Sequence, residues 1–304
     1  MAGGGSLPTR VGIIGTGRMG FPIAQRLLAA GFEVTAFDAD LTVEPRLRAA
    51  GIATAPNADV VAASVEVLLT VLPDGDAMHA SRSSLSAVRP GSVWVDLSSA
   101  DPTLAEEDQA WARARGVRTV SAPMAGGPHE AASGELGFFV SGPRVDVAAA
   151  LPVLSRLGPA GKRTIVGIRP GDGPLVKLLA NLLWFGQLIA ATEALLLGVR
   201  QGIDVSVLRE ALGASAGGSA FFDRHVDLLL AGDYLEDFPL DRCVDELRTI
   251  MRIAEEAGTP RELASVVTRI HEQALDRFGP VLGEMLAAQL LEEQADIELR
   301  DTAH

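Results

Sequence analysis

Lys177 and Asn181 are the side chains best suited to chemistry in this chain. They stand four residues apart in the run Leu175-Val-Lys-Leu-Leu-Ala-Asn-Leu-Leu183. That spacing puts both on one face of a helix. The rest of the run is apolar, and burying a lysine charge there is costly. Burial lowers an ammonium pKa toward neutrality, where lysine can exchange a proton with a substrate. A lysine at a helix end can instead lay its stem along the surface and keep its charge in water. Composition alone leaves both readings open.

A second constellation is Val11-Gly-Ile-Ile-Gly-Thr-Gly-Arg-Met-Gly-Phe-Pro22. Gly15, Gly17 and Gly20 form G-x-G-x-x-G directly after a short apolar run and before a helical pattern. Gly15 permits a tight turn, Gly17 lets backbone approach a pyrophosphate, and Gly20 lets the helix pack against the strand. The phosphates would lie on the amides of Arg18 and Met19, where the helix dipole favours an anion. Such a glycine cluster can also be a bare strand–helix turn. The next run, Glu33-Val-Thr-Ala-Phe-Asp38, reads as a second strand ending in a carboxylate. Asp38 stands where an acid meets the adenosine ribose hydroxyls. With Ala39 beside it and no arginine adjacent, it favours NAD over NADP; a loop aspartate without ligand is the plainer alternative.

These residues must be positioned by a chain of 304 residues, long enough for two cored domains. Net charge is −13 with no basic block, which argues against nucleic acid or an anionic membrane as partner. The single cysteine, Cys243, excludes an intrachain disulfide framework, reads as a small core residue, and fits a reducing, cytoplasmic setting. Histidines 79, 129, 225, 271 and 304 lack metal-ligand spacing and read as surface or capping residues, so no metal is expected. Leu178–Val199 is the segment nearest to a membrane span. Asn181, Gln187 and Glu193 interrupt it, and it reads as a helix buried inside protein. The start, Met1–Pro8, reads as a loose tail with no signal-peptide pattern.

From Arg10 to about Ile168 short β-rich runs alternate with helical stretches. Strands are predicted at Val11–Ile14, Val34–Phe37, Val67–Leu72, Val93–Leu97, Val117–Ser121, Phe138–Ser141 and Thr164–Gly167. This alternation implies an α/β domain, a doubly wound, mainly parallel Rossmann-type sheet. After Arg169-Pro-Gly-Asp-Gly-Pro174 only helical periodicity remains, broken near Gly202, Gly217-Gly218, Gly232, Gly258-Thr-Pro260 and Gly279-Pro280. The predicted organisation is a disordered tail over 1–9, a dinucleotide-binding domain over 10–170, and an all-helical substrate and dimerisation domain over 171–304. A long helix from Pro174 to Gln201 joins the two.

From Arg10 to about Pro260 the chain resembles the 3-hydroxyisobutyrate dehydrogenase, or β-hydroxyacid dehydrogenase, family of the 6-phosphogluconate dehydrogenase-like superfamily. Gly12-Ile-Ile-Gly-Thr-Gly-Arg-Met-Gly-Phe-Pro22 is similar to its cofactor signature. Leu72-Pro73 is similar to its adenosine-side loop. Asp96-Leu-Ser-Ser99 is similar to the Asp-x-Ser-Thr loop that meets the cofactor. Ala122-Pro-Met-Ala-Gly-Gly127 is similar to the substrate loop. Gly171-x-Gly-x-x-x-Lys177-x-x-x-Asn181 is similar to the catalytic helix, and Phe238-x-Leu-Asp-x-x-x-Asp-Glu-Leu247 to a further site segment.

The resemblance implies an NAD(P)-dependent oxidoreductase. Lys177 and Asn181 would be catalytic. Ser99, Ala125, Gly126, Gly127, Phe238 and Asp245 would lie at the substrate. Gly15, Gly17, Arg18, Met19, Gly20, Asp38, Leu72, Pro73 and Ser99 would hold the dinucleotide. It also implies a small-molecule substrate and a homodimer or homotetramer.

Four positions depart from the family pattern. Ala125 replaces a substrate-binding serine, Asp245 a lysine, Ala180 the first asparagine of a pair, and Ala77 an asparagine of the adenosine loop. A substrate carboxylate would then be left with the Gly126 and Gly127 amides, and with Arg242 or His129. Two alternatives follow: an imine reductase-like enzyme acting on a neutral or cationic substrate, and a dinucleotide-binding regulatory protein without turnover.

Overall fold

The computed structural model describes residues 10–73, 77–78, 82, 84–235 and 238–301. The expected tail over 1–9, His79 and His304 lie outside them. The chain divides into two compact units, one ending at Lys177 and the other beginning at Leu178.

The first unit is built on a nine-stranded sheet. Its strands are β1 (Arg10–Ile14), β2 (Glu33–Phe37), β3 (Ala53–Thr54), β4 (Val67–Thr70), β5 (Val93–Asp96), β6 (Arg118–Ser121), β7 (Met124–Ala125), β8 (Gly137–Ser141) and β9 (Arg163–Gly167). The order is β3-β2-β1-β4-β5-β6-β8-β7, with β9 beside β8. β1 to β6 run parallel, whereas β8 is antiparallel to β6 and β7.

Helices α1 (Gly20–Ala29), α2 (Glu44–Ala49), α3 (Ala58–Ser64), α4 (Pro102–Arg113), α5 (Pro128–Ser133) and α6 (Arg144–Leu157) cover the sheet. Every residue of β4 and β5 is buried, as strands covered on both faces require. Val11, Ile13, Val67, Leu69, Val93 and Val95 point into one core, packed with α1 and α6. Ile14, Leu68 and Trp94 alternate into the other, packed with α3.

The seven predicted strands are all present, within a few residues at their ends. β3 and β7 were not predicted, because two residues are too short to show a period.

The second unit is helical. It holds most of α7 (Asp172–Arg200), then α8 (Val205–Gly213), α9 (Ala220–Arg224), α10 (Val226–Leu230), α11 (Leu240–Ala257), α12 (Glu262–Phe278) and α13 (Leu286–Ala295). The breaks fall at the glycines where they were predicted. α7 is long and apolar enough, by length and composition, to cross a membrane. The expectation of a helix buried inside protein is met only in part. Leu188 and Leu195 are fully buried, yet Leu183 is 65% and Leu197 64% exposed. Leucine and alanine surround the helix on all sides, so one protein face cannot cover it.

Cys243 is buried in the cluster where α7, α11 and α12 meet. His129 is exposed. His225 joins α9 to α10. His271 departs from the surface reading: it is fully buried, with Nδ1 2.9 Å from the Val267 carbonyl. One helical turn back, that carbonyl partners Nδ1, one of the two ring nitrogens that burial takes from water.

Candidate active site

The glycine-rich turn lies between β1 and α1, at the C-terminal edge of the parallel strands. Gly15 has φ +91°, and a Cβ there would lie 2.2 Å from the Val71 carbonyl oxygen. A Cβ on Gly20 would lie 1.9 Å from the Gly15 carbonyl oxygen. A Cβ on Gly17 would meet nothing within 4 Å. Two glycines are therefore forced by packing, and Gly17 faces open space that a Cβ would begin to fill. Arg18 and Met19 follow, leading into the first turn of α1.

Asp38 closes this turn from β2. Its Oδ2 accepts from the Thr16 amide at 2.5 Å and the Thr16 hydroxyl at 3.1 Å. Its Oδ1 accepts from the Asp40 amide at 3.0 Å. A carboxylate has about four acceptor positions, so one remains for a ribose hydroxyl. The Arg46 guanidinium on α2 donates to the Thr16 carbonyl at 2.8 Å and stacks on Phe21, 4.2 Å from the ring centre. The Thr16 peptide is thus held at both ends. No arginine is adjacent to Asp38 in sequence, but Arg46 folds back onto the same turn. The open space at Gly17, the start of α1 and the Asp38 acceptor fit a nicotinamide dinucleotide.

Leu72-Pro73 follows β4 and Ser98-Ser99 follows β5. The Leu72 amide donates to Ser98 Oγ at 2.9 Å. Ser99 is half-buried and Pro73 exposed. The third segment, Ala125-Gly-Gly127, runs from β7 into α5. Gly126 is exposed, with φ +113°. The Gly127 amide donates to Glu130 Oε2 at 2.8 Å, a cap for the start of α5. It was expected to serve a substrate carboxylate; helix capping takes it instead. Ala125 pairs with Gly137 across β7 and β8.

The start of α7 is anchored to the sheet. Ser121 on β6 donates to the Pro170 carbonyl at 2.7 Å, and Ser141 on β8 donates to it at 3.2 Å. The Gly173 amide donates to Ser141 Oγ at 2.9 Å. A Cβ on Gly173 would lie 2.5 Å from the Phe139 carbonyl oxygen, so only glycine lets the helix begin this close to β8. Lys177 is one turn further, on the face set by this anchor. It is half-buried rather than fully enclosed.

Asn181 lies one turn beyond Lys177. Its Nδ2 donates to Glu246 Oε2 on α11 at 2.5 Å. Glu246 is only 8% exposed. A carboxylate only accepts, so this bond fixes the amide with its Nδ2 toward α11 and its Oδ1 as the acceptor end. Glu246 was not among the predicted site residues. Cys243 and Ile250 flank it at i−3 and i+4 in the buried stripe of α11, so a carboxylate interrupting an apolar helix face was the available signal.

Asp245, its neighbour, has a side chain 56% exposed and lies 3.5 Å from Arg242 one turn earlier. Phe238, ahead of α11, is half-buried against the α7–α11 cluster. Among the described residues no three His, Cys, Asp or Glu side chains gather as a metal-ligand set.

Two family models match the chain. Residues 10–167 match the NAD-binding domain of 6-phosphogluconate dehydrogenase, and residues 171–291 match a domain described as NAD-binding of NADP-dependent 3-hydroxyisobutyrate dehydrogenase. L-threonate dehydrogenase of Cupriavidus necator is 31% identical over 268 residues, covering 87% of this chain and 90% of that one. NAD-dependent L-serine dehydrogenase of Pseudomonas aeruginosa is 33% identical over 215 residues, covering 69% and 71%. The solved structure of Mycobacterium tuberculosis 3-hydroxyisobutyrate dehydrogenase with L-serine superposes with a TM-score of 0.85 at 26% identity, covering 93% of this chain and 99% of that one.

Proposed function

The chain belongs to the 3-hydroxyisobutyrate dehydrogenase-like family of NAD(P)-dependent oxidoreductases, and from that premise we propose that it interconverts a small hydroxy acid and its oxo or semialdehyde form, with NAD as the preferred cofactor. The observation that carries this reading is the Asn181–Glu246 bond one turn from Lys177. In the oxidation, Lys177 takes the hydroxyl proton on Nζ as the carbon loses hydride. In the reduction, its ammonium returns that proton to oxygen. Asn181, held by Glu246, offers Oδ1 to the Lys177 ammonium or to the substrate hydroxyl. Nicotinamide, when bound, supplies the hydride acceptor or donor. Asp38 favours NAD because its carboxylate accepts from ribose hydroxyls and repels a 2′-phosphate.

An acid substrate agrees with the state of Asp245. Water and the Arg242 guanidinium meet most of its charge, and exposed pairs of this kind are worth about 0–1 kcal/mol. The reversal of charge at position 245 therefore gives little ground for a neutral or cationic substrate. The substitution of serine by Ala125 removes one hydroxyl from the carboxylate site, and the exposed Gly126 backbone remains beside it.

Initial rates with NAD on a panel of small hydroxy acids, and with NADH or NADPH on semialdehydes and cyclic imines, test this reading. Turnover of hydroxy acids supports it. Reduction of imines alone, without activity on any hydroxy acid, overturns it. The exposed leucines of α7 support a homodimer or homotetramer, and sedimentation at micromolar concentration showing only monomer would overturn that part.

A further inference from the structure

A buried polar chain joins the loops that follow β4 and β5. Thr70 and Asp96 stand opposite each other in the parallel register of these strands. The Thr70 hydroxyl donates to Asp96 Oδ1 at 2.8 Å, and the Ser98 amide donates to the same oxygen at 3.1 Å. Trp94 Nε1 donates to Thr70 Oγ1 at 2.9 Å, and the Leu72 amide donates to Ser98 Oγ at 2.9 Å. Thr70, Trp94, Asp96 and Ser98 are all buried. Leu72-Pro73 and Ser98-Ser99 therefore both hang, through short bonds, on one carboxylate. Each named partner of that carboxylate is a donor, which suits its anionic form.

We propose that Asp96 is a positioning residue for the dinucleotide site: its carboxylate fixes the spacing of the Leu72-Pro73 and Ser98-Ser99 loops, and protonating it loosens them and weakens cofactor binding. This rests on both loops contacting the dinucleotide. Protonation would place a donor among groups that already donate, so the chain through Thr70 and Ser98 loses its common acceptor.

Burial pushes Asp96 up to about 6, within reach of mild acid, while hydrogen bonds from Ser98 and Thr70 pull it the other way. Asp108 on α4 raises it further and is itself ion-paired with Arg82. By linkage, a proton that binds more tightly to the free protein than to the complex lowers cofactor affinity as pH falls.

The test is the Kd for NADH, by fluorescence titration of the full chain, at steps from pH 7.5 to pH 5. Wild type should weaken about three- to tenfold as pH falls through about 6. Asp96→Asn should bind more weakly than wild type at pH 7.5 and show no such step. Thr70→Val removes a bond that favours the anion, so its step should move to higher pH. Ser98→Ala cuts the link to Leu72 with Asp96 in place and removes a bond that favours the anion, so the step should shrink and move to higher pH. A flat wild-type profile, or the same step in Asp96→Asn, overturns the inference while leaving the dinucleotide site intact. No NADH binding at pH 7.5 overturns the dinucleotide reading and this inference with it.

Discussion

Asn181 on α7 donates its side-chain amide to the buried carboxylate of Glu246 on α11, across 65 positions of sequence. The bond ties α7, the helix that carries Lys177, to α11. It also decides which end of the Asn181 amide is left to accept.

Glu246→Ala should therefore reduce kcat by about 10- to 100-fold, the scale on which a misplaced catalytic group slows a reaction. Glu246→Gln keeps an acceptor at the same reach and should recover much of the loss. The Kd for NADH should not change in either variant, because the residues assigned to the dinucleotide lie in the first unit. Steady-state rates beside NADH titrations check this. Equal loss of rate and of NADH affinity would reduce Glu246 to a packing role.

Gly17 and Gly20 should separate binding from folding. A Cβ on Gly20 collides with the Gly15 carbonyl, whereas one on Gly17 enters open space. Gly20→Ala should lose stability on the order of 1–3 kcal/mol, as overpacked sites do. Gly17→Ala should unfold near the wild-type temperature yet bind NADH more weakly. Thermal unfolding paired with NADH titration distinguishes the two.

The cofactor preference should turn on Asp38 and Ala39. Wild type should bind NADH more tightly than NADPH. Asp38→Ala with Ala39→Arg removes the repulsion and adds a phosphate partner, and should shift the ratio of the two Kd values toward NADPH by about tenfold or more. Tighter NADPH binding by wild type would contradict the assignment.

His271 should shape stability in acid. Burial lowers its pKa from 6.5 to about 4. The unfolded chain then binds more protons between these values, so stability is full above pH 6.5 and falls as pH drops toward 4. A shift of that size amounts to about 3 kcal/mol in order of magnitude. Asp96 works with opposite sign: raised to about 6, its burial costs stability as pH rises from 3.8 through 6. Urea unfolding of wild type and His271→Gln from pH 7 to pH 4.5 should give converging curves, the variant losing less on acidification. Parallel curves would contradict the His271 assignment.

Much of this was legible in the sequence because it is local. The alternation in Val93–Asp96, the glycine spacing of the first turn and the helix breaks each depend on near neighbours. Most of what was missed depends on distant ones. Glu246 interrupts the apolar stripe of α11 between Cys243 and Ile250, but its partner Asn181, 65 positions away, shows only in the packing of α7 against α11. The Gly127 amide looked available to a substrate, although Glu130 three residues on carries a capping pattern readable in sequence. Arg46 reaches Thr16 from 30 positions away, which spacing alone could not show.

Lys177→Ala tests the central claim most directly. NADH binding and NAD-dependent oxidation of a small hydroxy acid should be measured on the same preparation, beside wild type. The variant should keep wild-type affinity for NADH and lose turnover by at least about 100-fold, as removal of a general acid–base group does. Turnover near wild type would contradict Lys177 as the proton carrier.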